Sequence, residues 1–258
     1  MTKVSLILPA YNEAEVLNGT VLQVAEALHK ITPEFEIIIA EDGSTDGTDK
    51  IAEQLAEEYP YVKHLHSKDR LGRGKALNRA FKLSNGEINA YIDVDLATDL
   101  NHLDELINSV KEEGYDFSTG SRMLEESDVK RSFTRLTASK GFNFLTRWLL
   151  KSEIKDHQCG FKAFRREPLF DVLDEVKDDH WFWDTEILVR AQRKGYKVKE
   201  FPVRWRSGNK TKVNLKSDVI EMGSQIVRLW RELLECLIML FLFSGTNKNK
   251  LLTQINAD

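Results

Sequence analysis

Apolar residues follow two rhythms along the first hundred positions. Short β-rich runs, "KVSLILP", "FEIIIAED", "VKHLH" and "INAYIDVD", alternate with segments whose apolar positions recur at helical spacing. Those segments are "EAEVLNGTVLQVAEALHKI", "GTDKIAEQLAEEYP" ended by Pro60, and "GRGKALNRAFKLSNG". The alternation predicts an α/β fold, a mostly parallel sheet with helices on its faces. Ligands of such sheets sit at the C-terminal ends of the strands. Asn12–Glu13, Asp42–Gly47 and Asp93–Asp99 are therefore expected along one edge.

After about residue 115 the rhythm loosens. "DFSTGSRM", "CGFKAFRR" and "GYKVKEFPVRW" read as strands, "SFTRLTASKGFNFLTRWLLKS" and "DTEILVRAQRKG" as helices. Residues 215–243 read as one or two helices, and the polar tail "SGTNKNKLLTQINAD" is expected to fray. The expected organisation is a catalytic domain over 1–215, then a helical, membrane-associating segment and tail over 216–258. No internal repeat or low-complexity linker is present.

Composition narrows the class. The chain has 258 residues, 41% hydrophobic and 30% charged, which suits a sizeable globular core. A net charge of −4 gives no global field for nucleic acid. Locally, Val129 to Ser152 holds no acid but carries Lys130, Arg131, Arg135, Lys140, Arg147 and Lys151. Cys159 and Cys236 are far apart in sequence, which argues against a zinc knuckle or disulfide framework and fits a reducing compartment. The apolar run at the N-terminus is too short for a signal peptide, so a cytosolic chain is expected. "CLIMLFLF" is too short to span a bilayer, and Arg231, Glu232 and Glu235 stand just before it. "FTRLTASKGFNFLTRWLLK" mixes apolar and basic residues as a helix lying in a headgroup region would, although an ordinary amphipathic helix on the sheet has the same pattern.

Two stretches carry candidate chemistry. Asp93 and Asp95 lie at i and i+2 at the end of an apolar run, so on an extended strand they share a face. Two carboxylates that close repel unless a proton or cation intervenes. The pair suits Mg²⁺ or Mn²⁺, whose shell phosphate oxygens and water complete. The alternative is a turn or cap, a role that Asp99 already offers. In "AEDGSTDGTDK", Asp42 at a strand end is able to accept hydrogen bonds from ribose hydroxyls or base N–H groups. The alternative is a tight strand-to-helix turn capped by Asp46 or Thr48. "DRLGRGKA" is no P-loop, having Asp69 for the first glycine and Ala76 for Ser or Thr, and no G-x-G-x-x-G follows the first strand. His64 and His66 share a strand face, a pattern more often packing or surface than ligation.

"ILPAYNE", "EDGSTDGT", "GRGKALNRAF", "DVDLATD" and "GSRM", in this order and spacing, resemble the nucleotide-sugar-binding half of the inverting GT-A glycosyltransferases of family 2. "RLTASKG", "DHQCGFKAFRRE", "HWFWDTEILVRAQRKGYKVKEFPVRW" and "SGNKTKV" are similar to the polyprenyl-phosphate branch. The dolichyl-phosphate β-glucosyltransferases are nearest and the dolichol-phosphate mannose synthases a near relative. The resemblance covers roughly residues 4 to 215. It implies a GT-A fold, with Asp93 and Asp95, flanking Val94, holding the divalent cation against the donor diphosphate. It implies that Pro9, Ala10, Tyr11, Glu13, Asp42, Gly43 and Lys75 form the nucleotide-sugar site. Arg206 and Lys212 match positions that close over the diphosphate; Arg122, Arg135 and Ser139 match those that grip the lipid phosphate. An acid in the region of Asp184 and Glu186 serves as base in relatives with hydroxyl acceptors; here the two are expected as base, as groups that orient the sugar, or as partners of the arginines. Ala97 stands where the mannose synthases have a further ligand, Gln, which favours UDP-glucose over GDP-mannose. Glu41 replaces a common second aspartate.

The expected activity is inverting transfer of a hexose to dolichyl or polyprenyl phosphate at the cytoplasmic face of a membrane. The alternatives are mannosyl transfer from GDP-mannose, a transferase acting on a glycan hydroxyl with Asp184 as base, and a binding module without turnover. A homo-oligomer is left open.

Overall fold

The computed structural model describes residues 3–130, 133–206 and 220–235. A seven-stranded sheet forms its centre, in the order β3-β2-β1-β4-β7-β5-β8. Strands β1 (Val4–Ala10), β2 (Phe35–Glu41), β3 (Val62–Leu65) and β4 (Ile88–Ile92) are mutually parallel. β1, β2 and β4 read as nearly continuous apolar runs because helices cover both faces, whereas β3, at the sheet edge, is half polar. On one face Leu17, Val21, Val24 and Leu28 of α1 (Leu17–Ile31) join Ala52 and Leu55 of α2 (Thr48–Glu58) and Leu103, Leu106 and Ile107 of α4 (Leu103–Lys111). The other face packs against α3 (Arg73–Leu83), α6 (Arg166–Leu173) and α7 (Trp183–Arg193), around Phe81, Tyr91, Phe164 and Trp183.

The second half departs from a purely parallel reading. β7 (Phe161–Arg165) lies between β4 and β5 (Phe117–Ser121), antiparallel to both, while β8 (Val198–Pro202) runs parallel to β5. A strand buried on both faces has the same composition whichever way it runs, so direction is not legible in its pattern. "GYKVKEFPVRW" is two strands. After Pro202 the chain leaves β5, and β9 (Arg204–Arg206) pairs with β6 (Asp128–Lys130). Three residues each, these two strands are too short to show a period.

Helix α5 (Phe133–Leu150) and a helix over 220–235, here α8, form a third layer. Leu150, Phe182, Val189, Ile226 and Leu229 make a small core joining α5, α7 and α8. Phe144 and Trp148 on α5 point outward, each 69% exposed. Among the described residues no helix is long and apolar enough to cross a membrane.

Charge fixes α8 to α7. Glu186 is fully buried, and its Oε1 accepts from Arg190 Nε (2.9 Å) and Nη2 (2.6 Å). Its Oε2 accepts from Arg228 Nη2 on α8 (2.6 Å) and from the Asp178 N–H (3.1 Å). Glu232 returns the contact to Arg190 (2.8 Å) and Arg228 (3.0 Å), and these cations hold it down at about 2. Of the roles expected of Glu186, pairing with arginines is the one observed. Its oxygens are taken by Arg190 within α7, by Arg228 on α8 and by the Asp178 N–H, which leaves no place for it as base or sugar ligand.

Removing one member of a buried charge network leaves its partners unpaired, at a typical cost of about 3–5 kcal/mol. Glu186→Ala is expected to lower unfolding stability by that order in urea denaturation and to expose the amides of 220–235 to hydrogen exchange. A variant as stable and as protected as the parent contradicts this account.

Candidate functional site

The parallel strands β1, β2 and β4 end side by side, and the loops after them are stapled together. Asn12, at φ 51°, donates its N–H to Ser44 Oγ (3.0 Å) and accepts the Thr45 N–H at Oδ1 (2.8 Å). Glu13 N–H donates to Thr48 Oγ1 (2.8 Å), and Asp46 Oδ2 accepts the Ala14 N–H (3.1 Å). Asp46 also accepts the Thr48 N–H (3.1 Å), so it both starts α2 and ties two loops. The expected common edge is thus observed.

A third segment, Ser67–Gly72, folds over that edge. Asp42, 4% exposed, accepts the N–H groups of Leu71 (2.8 Å) and Gly72 (2.9 Å). Its carboxylate organises this loop rather than facing outward. Gly43 sits at φ +68°, and a Cβ there would lie 2.5 Å from the Arg70 nitrogen, so loop and turn meet backbone to backbone. The Arg70 guanidinium stacks over the Tyr11 ring at 4.0 Å. Pro9 is half-buried, Ala10 is buried with its carbonyl accepting the Asp42 N–H (3.0 Å), and Lys75 is exposed in the first turn of α3.

Beyond β4 the chain turns sharply at Asp93-Val94-Asp95-Leu96. Val94 is buried and its carbonyl accepts the Thr20 hydroxyl (2.8 Å). Leu96 adopts φ 48°, a conformation rare outside glycine and asparagine and typical of constrained functional turns. Asp95 is exposed and accepts the Ala97 N–H (3.0 Å). The Asp93 side chain is 44% exposed, and its N–H donates to the Gly160 carbonyl (3.0 Å). A Cβ on Gly160 would fall inside the Asp93 carboxylate, so only glycine leaves that group its place.

One cation already bridges the site. Arg73, at the start of α3, donates from Nη2 to Asp93 Oδ1 (2.8 Å) and from Nη1 to Asp184 Oδ2 (2.5 Å). Asp184, in the first turn of α7, is 2% exposed. Its Oδ1 meets the Tyr91 hydroxyl and Lys162 Nζ (3.0 Å). Burial pushes the Asp184 carboxyl up to about 6, against the pull of Arg73. Burial also pushes the Lys162 ammonium down to about 7, although Nζ donates to the carbonyls of His157 (3.0 Å) and Cys159 (2.5 Å). Arg73, Tyr91, Gly160 and Lys162 escaped sequence reading. Lys162 left one signal, a cation on a strand otherwise filled with apolar residues.

The expected acceptor residues are placed less directly. Arg122 has a side chain only 8% exposed. Its Nε and Nη2 are paired with Asp156 (2.7 and 2.8 Å), which this guanidinium holds far below the usual carboxylate range. An external phosphate would have to compete with that carboxylate. Arg206 pairs with Asp128 and donates to its carbonyl (2.8 Å), joining β9 to β6. Ser139 is half-buried on α5, and its carbonyl accepts from Asn143 Nδ2 (3.1 Å). The Arg135 side chain and Lys212 lie outside the described residues. His157 links α5 to this region through Asn143 Oδ1 and Ser152 Oγ (both 2.8 Å), and burial drives it down to about 3, so it stays neutral. Burial raises the Cys159 thiol to about 11 and keeps it unreactive.

Asp93 and Asp95 at an open strand end, with a guanidinium already satisfying one of them, have the donor set of a hard divalent cation site. They stand at the C-terminal end of β4, beside the ends of β1 and β2.

The family described as Glycosyl transferase family 2 matches residues 5–173. The chain is 50% identical over 233 residues to Glycosyltransferase AglD of Haloferax volcanii, covering 90% of this chain and 37% of that protein. It thus spans little more than a third of that relative. It is 32% identical over 238 residues to the dolichyl-phosphate beta-glucosyltransferase of Dictyostelium discoideum, covering 87% of this chain and 73% of that one. Glucosyl-3-phosphoglycerate synthase from Mycobacterium tuberculosis, solved with Mn²⁺, UDP and glucosyl-3-phosphoglycerate, aligns with a TM-score of 0.62 at 19% identity, over 88% of this chain and 77% of that one. That likeness concerns the fold, which is GT-A-like.

Gly160→Ala tests the tight seat of Asp93. A displacement of about 1 Å in a reacting constellation costs roughly 10²-fold in rate. Glycosyl transfer is expected to fall at least that far with the melting temperature little changed; retention of near-parental turnover refutes the steric argument.

Proposed function

We propose that this chain, which belongs to glycosyl transferase family 2, moves a hexose from a nucleotide sugar, UDP-glucose in preference to others, onto dolichyl or another polyprenyl phosphate with inversion. The observation that carries this reading is the enclosure of Asp184. Its two oxygens meet Arg73, Lys162 and Tyr91, and it is 2% exposed. A general base must reach the proton that it removes. Asp184 sits below the surface, already holding three donors. An acceptor served by this site must therefore arrive ionised, and a phosphate monoester does so near neutral pH without help. The dolichyl-phosphate beta-glucosyltransferase of Dictyostelium discoideum is the relative whose name fits that chemistry.

Asp93 and Asp95 would hold Mg²⁺ or Mn²⁺, and the seat that Gly160 leaves for the Asp93 carboxylate supports the fit. When bound, such an ion supplies charge stabilisation for the departing diphosphate. The chain's own residues do the rest. Arg73 Nη2 donates to Asp93 Oδ1 (2.8 Å), so an ion held there would compete with this guanidinium for the carboxylate. Asp42 keeps the Ser67–Gly72 loop and its Arg70 over Tyr11, shaping the nucleotide end. Asp184, itself held by Lys162 and Tyr91, keeps Arg73 in place. Ala97 contributes only its backbone, through the Arg206 N–H (2.8 Å), so the third ligand of the mannose synthases has no counterpart. Arg135, Lys212 and Ser139 remain the proposed contacts to lipid phosphate and diphosphate.

The apolar pair on α5 supports an acceptor delivered from a membrane surface. Phe144 and Trp148 lie beside Lys140, Arg147 and Lys151, the composition of a helix that seats in a headgroup layer.

Two experiments test the reading. The first offers UDP-glucose, UDP-N-acetylglucosamine or GDP-mannose with polyprenyl phosphate or free polyprenol, Mg²⁺ present. Glucosyl lipid phosphate is the expected product, and Asp184→Asn should retain activity within about tenfold, whereas loss of a general base costs about 10²–10⁴-fold. Faster transfer to the free alcohol, or collapse of Asp184→Asn into that range with its fold intact, overturns it. In the second, Phe144→Ser with Trp148→Ser should reduce binding to anionic liposomes and use of long-chain acceptors, sparing a short water-soluble acceptor. Equal losses on both acceptors argue for a packing role.

A further inference from the structure

His64 lies on β3 and His66 just past its end, two positions apart, so both project from the same face of the sheet. The register pairs Ile39 with His64 and Ala40 with Leu65, which brings Glu41 beside His66. One ring nitrogen of each histidine and one carboxylate oxygen of Glu41 lie within 4.8 Å of one another. Glu41 is 1% exposed; its Oε1 accepts the Ser44 N–H (2.5 Å) and its Oε2 meets His66 Nδ1 at 2.6 Å. The Nε2 atom of His64 is enclosed and has no hydrogen-bond partner among the described residues. An enclosed polar atom without a partner costs free energy that a ligand would recover.

We propose that Glu41, His64 and His66 bind a divalent transition-metal ion of the zinc class, at a site separate from Asp93 and Asp95. Two imidazoles and a carboxylate are the donors that Zn²⁺, Co²⁺ and Ni²⁺ take, whereas Mg²⁺ and Mn²⁺ prefer oxygen alone. The local field suits a cation. Asp49 and Glu53 on α2 add negative charge near His64 beside that of Glu41. Bonds of about 2.0–2.2 Å in a tetrahedron set donor atoms roughly 3.4 Å apart. The Glu41–His66 contact has to open slightly as the ion replaces the shared proton, and the more distant His64 nitrogen has to close in. The exposed side of His66 leaves room for a water as fourth ligand.

Such an ion would clamp the ends of β2 and β3. Asp42 follows Glu41 and holds Leu71 and Gly72, and His66 opens directly into the same loop. The ion would therefore stiffen Ser67–Gly72 and, through it, Arg70 over Tyr11 and the start of α3 at Arg73. A metal here acts on the shape of the nucleotide end without touching the reacting atoms.

Co²⁺ titrated into the full chain carrying Asp95→Asn separates the two sites, because four-coordinate nitrogen–oxygen Co²⁺ absorbs visible light far more strongly than six-coordinate oxygen Co²⁺. One equivalent per chain with an intense visible band, displaced by Zn²⁺, is expected. His66→Gln and, separately, Glu41→Gln in the same background should weaken binding by more than the about 10–100-fold that losing an outer partner costs. The His66 side chain is 52% exposed, so its variant is expected to fold. Zn²⁺ should raise the melting temperature of the Asp95→Asn chain and not that of its His66→Gln derivative. No visible band, equal affinity in the variants, or equal thermal shifts overturns the proposal. None of these outcomes bears on sugar transfer.

Discussion

The arrangement around the strand ends depends on a buried chain of alternating charge: Asp93, Arg73, Asp184 and Lys162, with Tyr91 at its inner end. An isolated charge at the depth of Lys162 or Asp184 would be prohibitively costly. Each is tolerable because the next lies within a hydrogen bond. The chain spans three elements that approach one another here, α3, β4 and α7, together with β7. Packing alone would bring those elements together in many relative positions. The charges select the one in which the guanidinium of Arg73 fits between two carboxylates.

That selection shapes the chemistry available. Burial raises the affinity of Asp184 for a proton, but at 2% exposure and with both oxygens engaged it is enclosed away from any ligand, and the open group is Asp93, nearly half exposed at its outer end. Steric economy works in the same direction, since the missing side chain of Gly160 is what lets the Asp93 carboxylate lie flat against β7. The turn that follows holds Leu96 in a left-handed conformation, and this points Asp95 outward beside Asp93.

How much of this was legible in sequence depends on the kind of signal. The first four strands and their helices follow from apolar periodicity, and Asp93 and Asp95 stand out because charge interrupts an apolar run. Asn12, Asp42 and Asp46 were found as turn residues at strand ends. Their cross-loop bonds were not found, because pairing between loops 29 to 35 positions apart leaves no local trace. The direction of β7 was hidden for the same reason. For Glu186 the reading left base, sugar ligand and arginine partner open, and the last holds: two positions along a helix is more than half a turn, so Glu186 and Asp184 serve opposite faces. The phosphate-gripping role expected of Arg122 rested on a matching motif, whereas its pairing with Asp156 needed a partner 34 positions away. His64 and His66 read as packing or surface, and Glu41, which joins them in the proposed site, comes from the neighbouring strand.

Helix α7 has an anchor on each side. Asp184 ties it to Arg73 and Lys162 at the strand ends, and Glu186 ties it to Arg228 on α8. One short helix is thus a crossbeam between two joints, carrying on its two faces the charge chain of the sheet and the attachment of the outer layer.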